Sequence, residues 1–191
     1  MGAEKVGRRY RGKGATGYES KRAGKSKWIM ENNGVETLLP VDANTVLDVP
    51  VGTGRFNYLY RQRGLNVTGV DTSHDMLEEA RKKGMHDLRV GDIRHLHFDH
   101  KRFDVAVCIR LFAWFEPDEV LDALTEMARV AGILIVNIRT KEGEAFCKSN
   151  SLWNHSRADF TSWVATIGYQ VDEVFHVGNK GNDIYRLTPC V

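Results

Sequence analysis

VLDVPVGTGRF, residues 46–56, joins an apolar run to a glycine turn and then to the start of a helical segment. The run is short, β-branched and closed by an acid, Asp48, which suits a buried strand rather than a helix. Gly52 and Gly54 allow a tight turn and let a ligand approach the backbone. The helix start beyond them offers unpaired N–H groups that suit a carboxylate or a phosphate. Pro50 has no N–H and pushes Val49 into an extended conformation, as a strand end requires.

Outward from this stretch the chain alternates. A strand over 45–49 leads to a helix over 55–63 stopped by Gly64, then a strand NVTGVD over 66–71. Ser73 can cap a helix over 74–83, with Gly84 beyond its end. DLRVGD (87–92) is a short strand, and FDVAVCI (103–109) is a continuous apolar run of the fully buried kind. Pro117 fits the first turn of a helix running to Val130. GILIVNI (132–138) is another buried strand, followed by a polar loop and a helix over 156–167 ended by Gly168. YQVDEVFHV (169–177) and DIYRLT (183–188) are strands joined by VGNKGN, a turn signal. Such alternation implies parallel strands with helical crossovers, hence an α/β, doubly wound, Rossmann-like sheet. The last connection is too short for a crossover, so the final two strands form an antiparallel terminal hairpin.

A chain of 191 residues supports one sizeable α/β core. With 42% hydrophobic and 27% charged residues it has the make-up of a folded protein. The net charge of +2 is unevenly placed. Residues 1–31 carry nine Lys/Arg against three acids, a basic head on a mildly acidic body. Residues 1–17, with five glycines and five basic residues and no apolar periodicity, read as a flexible basic N-terminus. Residues 18–40 read as an N-terminal helical cap on a single domain over 18–191, with Trp28, Ile29, Val35, Leu38 and Leu39 as apolar contacts. Three cysteines without a CxxC pair point to a reducing cytoplasm rather than a disulfide framework. No run approaches eighteen apolar residues, so no membrane span and no membrane partner are expected.

Two further acids sharpen the glycine turn. Asp71 ends the second strand, where a carboxylate can bind both hydroxyls of a ribose. Asp92 ends the third, in the phrase VGDI, where a carboxylate can accept from an adenine amine. Three acids thus close three successive strands, at the sheet edge where α/β proteins bind ligands. Any one of them could simply cap a helix; the three in series point to a nucleoside-bearing ligand.

VLDVPVGTGR, GVDTSHDMLEEAR, VGDIRHLHF and FDVAVCIRLFAWF together resemble the consecutive motifs of the class I S-adenosylmethionine-dependent methyltransferases, in their small bacterial form without an accessory domain. The resemblance covers about residues 18–191. It implies a seven-stranded sheet with an antiparallel last strand and S-adenosyl-L-methionine as cofactor. By this resemblance Asp48, Gly52 and Gly54 belong to the loop that holds the methionine part, and Asp71 to the ribose. Thr72, Ser73 and Met76 line ribose and adenine, and Asp92 and Ile93 form the adenine pair. Arg110 and Leu111 follow strand four, where the backbone often faces the methionine amine. The sequence departs from the family at Pro50, where Gly is usual, and at Val51, often Cys.

In YESKRAGKSKW (18–28), Tyr18 and Arg22 are four apart and share one helix face. Similar enzymes fold a Tyr and a basic residue over the cofactor, so Arg22 is a candidate for the methionine carboxylate and Tyr18 for the methyl. The bland alternative is a solvated basic helix with Tyr18 and Trp28 packed on the core. LFAWF (111–115) places aromatics at a strand end, with Trp114 the best candidate for an acceptor wall. His155 lies in a loop that often borders the acceptor and is a candidate general base for a hydroxyl acceptor. No side chain is assigned a catalytic role, because positioning a nucleophile in line with the methyl supplies much of the acceleration. His95, His97 and His100 alternate in RHLHFDH, but no Cys or fourth ligand joins them, so no metal site is expected.

The acceptor implied is a small molecule, since no RNA-binding module is appended and the inserts are short. RNA or protein acceptors, docked by the basic head, are the second reading. A nicotinamide dehydrogenase would need a third glycine at position 57, which is Asn57. A protein that binds or degrades the cofactor without transferring its methyl group is a third class.

Overall fold

The computed structural model describes residues 10, 12–143, 145–148, 152–178 and 182–190. Most of the segment expected to be flexible, 1–9 and residue 11, lies outside these. In chain order the elements are α1 (Lys13–Thr16), α2 (Ser26–Leu38), β1 (Thr45–Asp48), α3 (Asn57–Gln62), β2 (Asn66–Asp71), α4 (His74–Lys82) and β3 (Asp87–Val90). Then follow β4 (Phe103–Cys108), a short turn of 3-10 helix (Phe112–Trp114), α5 (Pro117–Val130), β5 (Ala131–Asn137), β6 (Thr140–Lys141) and β7 (Phe146–Lys148). β8 (Leu152–Ser156), α6 (Arg157–Thr166), β9 (Tyr169–Phe175) and β10 (Ile184–Pro189) complete the described chain.

The main sheet has seven strands in the order β3-β2-β1-β4-β5-β10-β9. β3, β2, β1, β4 and β5 are parallel, and β10 is antiparallel to both β5 and β9. The antiparallel pair expected at the chain end is present, and β10 sits inside it, wedged between β5 and β9. The order turns back at β1, so the chain ends of β1 and β4 diverge and leave a crevice at the carboxyl edge.

Strand periodicity explains why both faces are dry. Val46, Val105, Val107 and Ile135 pack on one face against Val35 and Leu38 of α2 and Tyr60 of α3. Leu47, Ala106, Leu134 and Val136 point the other way, against Leu124 and Met127 of α5 and Phe160 of α6. Alternate residues on strands covered twice must all be apolar, which is why the sequence shows runs rather than alternation. α5 begins as its sequence implied, with Pro117 in the first turn and a reciprocal cap between Glu116 and Glu119.

Two regions differ from the sequence reading. The helix expected from Tyr18 begins only at Ser26, and residues 17–24 are turns. It then runs straight through Asn32, Asn33 and Gly34. Gly34 is there for packing: a Cβ would stand 2.7 Å from Ile184 Cδ1 and 2.8 Å from Phe175 Cδ1. The stretch read as a polar loop after β5 instead holds a three-stranded sheet, β6-β8-β7. Its strands are two to five residues long, too short to show a period. Among the described residues, no helix is long and apolar enough to cross a membrane.

Candidate functional site

The crevice at the carboxyl edge is a cavity of about 990 Å³, counted out to its open mouth. The glycine turn forms its floor through Pro50, which follows a cis peptide, and Gly52, whose φ of +54° few other residues adopt. The ends of β2 and α4 supply Asp71, Thr72, Ser73 and Met76. The segment after β3 supplies Asp92 and Ile93, and the end of β4 supplies Arg110, Leu111 and Trp114. Tyr18 closes one side. Twelve of the sixteen residues singled out by sequence therefore converge on one cavity.

The three strand-end acids meet different surroundings. Asp71 is 8% exposed and accepts hydrogen bonds from the Gly52 and Ser73 N–H groups, both at 2.9 Å. Burial raises its pKa, although those backbone donors act against the rise. Asp92 is gripped by Arg94, whose Nη2 lies 2.6 Å from Oδ2 and whose Nε lies 3.0 Å from Oδ1. Burial pushes the Asp92 pKa up, but the Arg94 bonds win and hold it below the usual range. Asp48 does not reach the cavity lining. It is buried beneath the turn, where it accepts from the Tyr60 hydroxyl at 3.2 Å. Burial, with nearby Asp71 adding to it, pushes its pKa up to about 8.

Gly54, Arg22 and His155 also stand outside the lining. Gly54 lets α4 press on the turn, since a Cβ there would lie 2.8 Å from Met85 Sδ and 3.2 Å from Ala80 Cα. Arg22 turns back on its own segment, with its guanidinium 3.9 Å from the Tyr18 ring centroid and Nη1 donating to the Tyr18 carbonyl. His155 is fully buried on β8, between Trp153 and Trp163. Its Nε2 lies 2.9 Å from the Phe112 carbonyl oxygen, so the ring braces the aromatic turn that carries Trp114. Burial lowers its pKa, and because a carbonyl oxygen can only accept, Nε2 is the donor. Among the described residues no group of three or more His, Cys, Asp or Glu is arranged to hold a metal ion.

Sequence reasoning missed a polar hub behind the cavity. Glu31, fully buried in α2, accepts from Arg55 Nη1 and from Arg110 Nε, each at 2.7 Å on Oε2. Arg55 lines the cavity but spends its other donors on Asn32 Oδ1 at 2.8 Å and the Trp28 carbonyl at 2.5 Å. Its guanidinium also stacks 3.8 Å over the Trp28 ring. A cation directly after the glycine turn was a visible signal for Arg55; nothing local marked Glu31. The segment before α2 is tied over the cavity as a strap. Ser73 Oγ donates to the Tyr10 carbonyl, the Gly12 N–H donates to Asp75, and Glu19 pairs with Lys83.

Residues 46–132 match the family described as Methyltransferase domain. A phosphatidylethanolamine N-methyltransferase from Cereibacter sphaeroides is 39% identical over 101 residues, 48% of this chain and 49% of that protein. A malonyl-[acyl-carrier protein] O-methyltransferase from Salmonella typhimurium is 36% identical over 87 residues, 45% of this chain and 34% of that protein. The chain thus spans half or less of the length of these curated relatives. Among solved structures, magnesium protoporphyrin IX methyltransferase from Synechocystis PCC 6803, with bound SAH, superposes with a TM-score of 0.78 at 14% identity over the whole of both chains. The family match lies within residues 46–132, and the chain shares its seven-stranded fold with this solved methyltransferase structure.

Proposed function

We propose that this protein is an S-adenosylmethionine-dependent methyltransferase acting on a small molecule, with residues 18–191 working as one catalytic unit. The observation that carries the reading is the convergence of the Gly52 turn, Asp71, Asp92 and Ile93 on one cavity, within the stretch that matches the methyltransferase family.

The residues present fit the cofactor. Asp71 uses two of its roughly four acceptor positions on backbone donors, leaving capacity for ribose hydroxyls. Met76, Ile93 and Leu111 offer an apolar slot for a purine, with Asp92 at its edge. The Gly52 turn leaves open space where a side chain would otherwise intrude. When bound, S-adenosylmethionine supplies a methyl group activated by positively charged sulfur. The chain's task is to hold an acceptor in line with that group and to keep water out. Tyr18 on the strap and Trp114 on the braced turn both line the cavity and serve this purpose. Buried His155 positions the turn rather than moving a proton. The aromatic lining of the cavity supports a small acceptor, and the free thiols of buried Cys108 and exposed Cys190 suit a reducing cytoplasm.

Calorimetry with S-adenosylhomocysteine tests the reading. Binding is expected, together with a rise in melting temperature by mass action, while NAD and NADP leave both unchanged. A dinucleotide preference refutes it. Amide exchange over 12–24 should slow when S-adenosylhomocysteine is added, as the strap tightens over an occupied cavity.

A further inference from the structure

We propose that the acceptor is a small organic anion, whose carboxylate or phosphate is gripped by the terminal nitrogens of Arg110. This deepens the methyltransferase reading and rests on it.

Among the described residues, two arginines line the cavity, and they are not equivalent. Arg55 commits Nε, Nη1 and Nη2 to Asn32, Glu31 and the Trp28 carbonyl. It fastens α2 to the glycine turn and has little left to give. Arg110 donates only Nε, to Glu31. Among the described residues its Nη1 and Nη2 make no hydrogen bond, and the side chain keeps 24% of its surface exposed. Glu31 holds the guanidinium from behind, so the free pair of donors is fixed in direction. A planar fork with two parallel N–H groups matches a carboxylate or phosphate oxygen pair. Arg110 also sits at φ +68°, a left-handed conformation rare for a residue with a side chain. Such outliers persist where the fold holds a residue in place for use.

The surrounding charge favours an anion. Lys27 stands 3.8 Å from Glu31 Oε1, and Arg139 follows β5 at the same sheet edge. Burial, then the positive charges of Arg110, Arg139 and Arg55, depress the Lys27 ammonium against the pull of Glu31. Buried Glu31 thus meets three cations, Lys27, Arg55 and Arg110. The cofactor adds a sulfonium and an ammonium against a single carboxylate, so loading brings one more positive charge into a cavity lined by Arg55, Arg110, Asp71 and Asp92. An acceptor of negative charge relieves it; a neutral or cationic acceptor does not. The aromatic faces of Tyr18, Trp114 and Phe115 on the same cavity suit an apolar body behind the charged group.

The test uses the full chain loaded with S-adenosylhomocysteine and three probes of similar shape: benzoate, phenyl phosphate and neutral benzamide. Calorimetry at low salt should show one of the anions binding at least about tenfold more tightly than benzamide, as expected for charge-assisted hydrogen bonds. Whichever of benzoate and phenyl phosphate binds more tightly tells carboxylate from phosphate. Arg110→Gln should abolish the preference, with a smaller fold-loss in S-adenosylhomocysteine affinity than in anion affinity. Arg110→Lys keeps the charge without the fork and should retain part of the preference; it also serves if the Gln variant does not fold. Equal binding of anion and benzamide, or no binding of either, overturns the proposal. So does a loss of S-adenosylhomocysteine affinity in Arg110→Gln as large as the loss of anion affinity, which would assign the fork to the cofactor. Failure of the wild-type chain to bind S-adenosylhomocysteine would instead strike at the methyltransferase reading itself.

Discussion

Replacing Glu31 with Ala should destabilise the protein more than its place on a polar helix suggests. Its carboxylate is fully buried, and both guanidinium contacts fall on the same oxygen at 2.7 Å. Removing one side of a buried ion pair costs about 3–5 kcal/mol, because the charge left behind has lost its partner and cannot regain water. Two features of the structure favour the lower end. Arg110 is 24% exposed and can be rehydrated. Arg55, only 8% exposed, keeps Asn32 and the Trp28 carbonyl. The expected loss is therefore about 3 kcal/mol, which for a chain of this size corresponds to a fall in Tm of about 6–12 °C. Glu31→Gln preserves volume and one acceptor oxygen and should cost about half as much. Urea unfolding followed by tryptophan fluorescence measures both, and Trp28 beside Arg55 makes the signal local as well as global. A Glu31→Ala variant within about 1 kcal/mol of wild type would refute the claim that this acid organises the hub.

Asp48 yields a pH dependence of definite sign. Its pKa rises from an ordinary 3.8 to about 8 in the folded protein, so the folded chain holds a proton that the unfolded chain releases near pH 4. Stability should fall as pH rises across pH 4–8, by at most about 1.4 kcal/mol per unit. Asp48→Asn should flatten that fall, and a wild-type profile with no descending limb there would contradict the burial argument. Gly34→Ala should lower the unfolding midpoint: overpacking against Phe175 and Ile184 costs about 1–3 kcal/mol, while better helix propensity returns about 1. A stabilised variant would mean the two side chains yield freely. Asp71→Ala removes the acceptor for two backbone donors and should weaken S-adenosylhomocysteine binding by about 1–3 kcal/mol in calorimetry. Unchanged affinity in the folded variant would remove Asp71 from the proposed ribose site.

The sequence by itself determined the parts whose physics is local. Strand, glycine turn and helix over 46–56 were legible because apolar β-branched residues, glycines and a helix start act within a few residues of one another. Asp71, Ser73, Asp92 and Ile93 could be placed at the cavity because parallel strands must end at a common edge once the alternation is known. Arg22 shows the limit: the helix face it was expected to share with Tyr18 is a run of turns, and its guanidinium lies on the Tyr18 ring rather than in the cavity. Tertiary structure alone decided what depends on partners far along the chain. Glu31 meets Arg110 across 79 residues, and no periodicity marks either as the other's partner. Gly34 reads as an interruption of a helix until β9 and β10 arrive against it. His155 reads as a loop base until β6 and β7 pair with β8 and seal it inside. In each case the deciding energy is burial or charge pairing between distant segments, which exists only after the chain has closed on itself.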